Sequence, residues 1–105
     1  MTEIEFFTGG GELQGFHVHG HSGYAEQGED IVCAAISSAV IMTMNTVCEV
    51  MHIDAEVSTA DGDAVMKISS NDAEACKSIL QGLKLHLLEL SKQYGEFMKV
   101  KFTEV

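Results

Sequence analysis

The hydrophobic positions change period along the chain, and those changes mark out the elements. Ile4 to Thr8 is a short β-prone run that stops at Gly9-Gly10-Gly11, and Leu13 to His19 follows as its hairpin partner. From Gly20 to Asp30 the pattern dissolves into polar residues punctuated by Gly20, Gly23 and Gly28, which reads as a loop. Asp30 is a good N-cap, and the segment after it reads as a helix to about Met51. Its apolar residues lie almost all round, as expected for a helix buried against a sheet. Ile53 to Thr59 and Val65 to Ser69 alternate on either side of Asp61-Gly62, a hairpin turn dipeptide. A second helix is expected from Ser70 or Asn71. Cys76, Leu80, Leu83, Leu87, Leu90 and Tyr94 repeat at spacings of four and three along one stripe, and Gly95 is its stop. Phe97 to Val105 reads as a last strand of imperfect phase.

The order is therefore β-β-α-β-β-α-β. It implies an α+β fold, with two helices packed on one face of a mixed or antiparallel sheet, and leaves the strand order open. Leu85 and Leu88 fall off the main stripe of the second helix. They are ordinary edge leucines, or they widen the apolar face enough for a homodimer.

Composition narrows the partners. The chain has 105 residues, 46% of them hydrophobic, which fits a single domain over 1–105. The net charge of -10, with six Lys and no Arg, argues against direct contact with nucleic acid, since phosphate binding needs cations. It favours encounter with a basic protein or peptide. Cys33, Cys48 and Cys76 are odd in number and widely spaced, with no CxxC pair, and Met1 to Phe7 carries two Glu and no basic n-region. No signal peptide is expected, and the thiols are expected to be reduced in a cytoplasmic protein. Ile31 to Met51 is interrupted by Ser37, Ser38, Thr43, Asn45, Thr46 and Glu49, so a buried helix is expected there and not a membrane span.

The stretch from Gly20 to Ala34 carries the candidate chemistry. With Asp30 as N-cap, Cys33 falls in the first helical turn, where unpaired N–H groups and the helix dipole favour a thiolate. His21, folded back by the loop, would complete a Cys–His pair for nucleophilic catalysis. Burial as an inert packing residue is the competing reading of Cys33, and the one preferred for Cys48 and Cys76. Asp30 is either a structural cap or the group that orients His21. Ser37, one turn beyond Cys33, either contacts substrate or bonds back within the helix. The segment Ser22 to Glu29, bracketed by Gly23 and Gly28, is expected to order over a bound peptide.

Gly20-His21, Gly28, Asp30-Ile31-Val32-Cys33-Ala34 and Ser37, together with Asn71-Asp72-Ala73-Glu74-Ala75, resemble the signature of the Prp family of bacterial ribosomal-processing cysteine proteases. The resemblance implies Cys33 as nucleophile, His21 as general base, Asp30 and Ser37 as assisting residues, and no metal or other cofactor. It also implies a homodimer that removes a short N-terminal extension from a large-subunit ribosomal protein, cutting after an aromatic residue. Ser22 stands where Ala is common in the family, and His17 and His19 are not family features.

Two other readings remain at this point. His17, His19 and His21 alternate, and with Cys33 they would supply the four ligands of a tetrahedral zinc site. A non-catalytic, ribosome-associated interaction module would instead keep Cys33 buried and unreactive.

Overall fold

The computed structural model describes residues 1–20 and 27–105, residues 27–30 by their backbone alone. The elements are β1 (Thr2–Gly9), β2 (Glu12–His19), α1 (Gln27–Asn45), β3 (Glu56–Ala60), β4 (Asp63–Lys67), α2 (Lys77–Gln93) and β5 (Met98–Glu104). They follow the expected β-β-α-β-β-α-β order. The five strands form one mixed sheet in the order β3-β4-β2-β1-β5. The β1–β2, β2–β4 and β3–β4 pairs are antiparallel, whereas β5 returns parallel to β1.

Strand alternation sorts the two faces of the sheet. Thr2, Ile4 and Phe6 of β1, Phe16 of β2, Met66 of β4 and Met98 of β5 are buried under the helices. Phe6 meets Phe16 edge-on and stacks on Phe102, with centroids 6.4 and 5.6 Å apart. From α1 come Val32, Ile36, Val40 and Met44, from the π-helical turn after it (Thr46–Val50) Val47, from α2 Leu80, Leu83 and Leu87, and just ahead of α2 Cys76.

The first helix is less enclosed than its sequence predicts. Ile31 to Val50 is long and apolar enough to cross a membrane by length and composition, so the polar interruptions do not exclude that reading as expected. Here its inner stripe packs on the sheet, while Ile31, Ile41 and Met42 are exposed. The helix ends in a π-helical turn (Thr46–Val50), followed by His52 in the left-handed region at φ 57°.

Helix boundaries differ in two places. Ser70–Asp72 forms a 3-10 turn, and α2 starts only at Lys77. At the other helix, α1 is already formed at Gln27, which places Asp30 inside the first turn and not at the N-cap.

Candidate active site

Cys33 reaches the end of the sheet where β1 begins, β2 ends and β3 turns into β4. The N–H of Gly20 donates to the carbonyl of Gly62 at 3.0 Å, which ties the end of β2 to the Asp61-Gly62 turn. Gly20 has φ +88°, and a Cβ there would lie 2.7 Å from the Met1 carbonyl oxygen, so only glycine fits. The next residue, Thr2, donates its backbone N–H to the Phe97 carbonyl at 3.0 Å. Its side chain is 4% exposed and points to the helix side of the sheet. There its hydroxyl lies 3.4 Å from the sulfur of Cys33.

Cys33 is half-buried, which leaves its thiol both held and reachable. It is the seventh residue of α1 and not the third, because the helix begins earlier than expected. In a regular helix its N–H is bonded four residues back. The N–H groups without intrahelical partners belong to the first four residues, Gln27 to Asp30. Ser37 is exposed one turn further along the same flank.

His21 lies outside the described residues, as does most of the segment expected to order over a peptide. Its last three residues, Gln27 to Glu29, already belong to α1. What the structure fixes is the point of departure: the chain leaves β2 at Gly20, packed on Met1, whose neighbour Thr2 touches Cys33.

The sheet does not favour the zinc alternative. Phe16 and Val18 turn toward the helices, so His17 and His19 project from the opposite face. There the His17 Nε2 pairs with Asp63 Oδ1 at 2.6 Å, and the two imidazole rings lie 4.6 Å apart. Cys33 approaches from the helix side, with the sheet between. Among the described residues no group of three or more His, Cys, Asp or Glu side chains is placed to hold a metal.

Of the other two cysteines, Cys76 is a packing residue of the core, whereas Cys48 is half-buried like Cys33. Cys76 is fully buried, and its thiol is pushed up first by loss of solvent, then by the negative charge of Asp72 and by Cys48. Thr2 is not legible in the sequence. A threonine at the start of a strand carries no signal until the sheet brings it under Cys33.

The sequence matches the family model of the cysteine protease Prp over residues 1–99. The chain belongs to the Prp family of cysteine proteases. Solved structures share its fold. Prp from S. aureus, an essential ribosomal processing protease in complex with a substrate peptide, superposes with a TM-score of 0.88 at 19% identity, covering 98% of this chain and 100% of that one. The same protease with a covalently linked product peptide gives 0.85 at 20% identity, with the same coverage. SMU.848 from Streptococcus mutans gives 0.82 at 23% identity over 100% of this chain and 96% of its own. No curated protein matches the sequence significantly. At these identities the structural likeness carries the fold, and the family match carries the activity: this is a cysteine protease, with two helices on a mixed five-stranded sheet.

Proposed function

We propose that this member of the Prp family is an endopeptidase that removes the N-terminal extension of a large-subunit ribosomal protein, with Cys33 as nucleophile and His21 as general base. The observation that carries the assignment is the half-buried Cys33 thiol held against Thr2, beside the point where the chain leaves β2 toward His21. The S. aureus relatives, named as ribosomal processing proteases and seen with substrate and product peptides, support the substrate class. So does the charge of -10, which attracts a basic protein.

His21 takes the proton from the Cys33 sulfur, and the thiolate attacks the scissile carbonyl carbon to form a tetrahedral oxyanion. The N–H groups in the first turn of α1 are proposed as the donors to that oxygen. Collapse of the intermediate breaks the C–N bond, and His21 returns its proton to the leaving amine. Water, deprotonated by His21, then cleaves the thioester and regenerates the thiol. Asp30 and Ser37 assist, Asp30 from the first turn of α1 and Ser37 from the exposed flank beyond Cys33.

The whole chain acts as one protease domain, works in the cytoplasm without a cofactor, and contacts neither nucleic acid nor membrane. It forms a homodimer. Leu85 of α2, 61% exposed, supports a second copy covering that helix. Incubation with an N-terminally extended large-subunit ribosomal protein, read by product mass, tests the activity. A single new product from the wild-type chain and none from Cys33→Ala is expected. An uncut substrate refutes the assignment.

A further inference from the structure

The open face of the sheet carries two histidines that neither the core nor the proposed reaction uses. His17 and His19 stand side by side along β2, on the side away from the helices. The Nε2 of His17 lies 2.6 Å from the Asp63 carboxylate, and that of His19 lies 3.9 Å from the Glu3 carboxylate. Strand register gathers these groups: Glu3 and Asp63 flank His19 from β1 and β4, and Glu5 stands opposite His17. Lys99 and Lys101 lie one strand further out, beside Glu3 and Glu5. Both rings stay reachable, their side chains 28% and 35% exposed.

A carboxylate only accepts, so Nε2 of His17 is the donor to Asp63, and Nδ1 of the neutral ring keeps its lone pair. Glu3 biases His19 in the same sense, at 3.9 Å by charge and not by a hydrogen bond. A histidine whose far nitrogen is held by a carboxylate is the usual arrangement behind a metal ion. The ring spacing agrees. Two imidazoles bound to one ion at about 2.0–2.1 Å and at a right angle have centres about 4.5 Å apart, against about 5.2 Å at a tetrahedral angle. The His17 and His19 ring centres are 4.6 Å apart. Their planes are tilted by 33°, a difference that the soft terminal torsion of an imidazole adjusts.

We propose that His17 and His19 form a two-histidine chelate for a divalent transition-metal ion that takes nitrogen ligands at right angles, copper(II) or nickel(II). Asp63 and Glu3 are the carboxylates behind the rings. No third His, Cys, Asp or Glu among the described residues is placed on the ion itself, so water fills its remaining positions. The net charge of -10 draws cations to the surface. Neither His21 nor Cys33 takes part, and the sheet separates the chelate from the thiol, so the site is independent of the protease reaction.

The test titrates nickel(II) into the full, untagged chain carrying Cys33→Ala and His21→Ala, so that neither group supplies a ligand, and reads the heat of binding. One ion per chain is expected. His17→Ala and His19→Ala are each expected to weaken binding at least about tenfold, and Asp63→Asn about tenfold, the usual effect of removing a carboxylate behind a ligating histidine. His52→Ala and His86→Ala serve as controls that leave binding unchanged. With all five of these positions intact, paramagnetic nickel is expected to broaden the ring resonances of His17 and His19 before those of His52 and His86, which tests the site without altering it. Unchanged nickel affinity in both His17→Ala and His19→Ala would overturn the chelate, as would broadening spread evenly over the four rings. Absence of saturable binding at millimolar nickel would overturn it too. Full affinity in Asp63→Asn would overturn the part given to that carboxylate.

Discussion

The hydroxyl of Thr2 and the sulfur of Cys33 lie 3.4 Å apart, joining the first residue of the sheet to the second turn of α1. A hydrogen bond of this kind, in which either group can donate, is worth about 0.5–1.5 kcal/mol and holds the sulfur in place. Thr2→Val keeps the shape and removes the hydroxyl. It is expected to slow Cys33 alkylation at neutral pH by about threefold to tenfold. Thr2→Ser is expected to restore the rate. An unchanged rate in Thr2→Val would assign the contact to packing alone.

Cys33→Ala and His21→Ala are each expected to abolish cleavage, because nucleophile and base act as one unit. His17→Ala and His19→Ala are expected to keep most activity, since their rings project from the far face of the sheet. EDTA is expected to have little effect. Activity lost with chelator and restored by zinc would favour a metal after all.

Gly15 is a backbone requirement of the sheet. It follows the irregularity at which β1 and β2 change register, has φ +149°, and a Cβ there would lie 2.2 Å from the Met66 carbonyl oxygen of β4. Gly15→Ala is expected to destabilise the fold by about 2–4 kcal/mol, measured by chemical denaturation. A loss under about 0.5 kcal/mol, the range of ordinary surface substitutions, would contradict this placement.

Cys76 ties stability to alkaline pH. Its folded thiol is raised above the ordinary value, so the folded state holds the proton more tightly than the unfolded chain does. That contribution is fully present below the unfolded value, about 8.5, and is lost as pH rises through the folded one. Thermal unfolding temperature is expected to fall above that pH, and Cys76→Ala is expected to show a shallower fall from a lower starting stability. The same burial makes Cys76 the slowest of the three thiols to alkylate in the folded protein. Rapid labelling of Cys76 would contradict it.

His52 occupies a left-handed position just after the π-helical turn, where glycine is the usual residue. His52→Gly is expected to stabilise the protein by about 1 kcal/mol, read as a higher denaturation midpoint. A lower midpoint would show that the imidazole makes compensating contacts.

The sequence by itself determined the element order, the two hairpins and the stripe of α2. These follow from local periodicity and turn chemistry, such as Gly9-Gly10-Gly11 and Asp61-Gly62, which act over a few residues. The segment from Gly20 to Ser37 also carried the family resemblance, because a cysteine, a histidine and glycines in fixed order are a linear signal. Helix starts were less legible. Gln27 to Glu29 read as loop but are helical, and Ser70 to Asp72 read as helix but form a separate turn. Polar residues near a helix start satisfy several local geometries equally, and packing chooses among them.

Only the tertiary structure decided which face each strand presents, and with it the fate of the histidines. His17 and His19 share one strand face in any register, but only the packing of α1 on the other face separates them from Cys33. Thr2 and Cys33 are 31 residues apart in the chain, further than any local pattern reaches. Their proximity comes from folding α1 back over the start of β1. Periodicity reports a face within one element, and the surface that face meets is set by packing between elements.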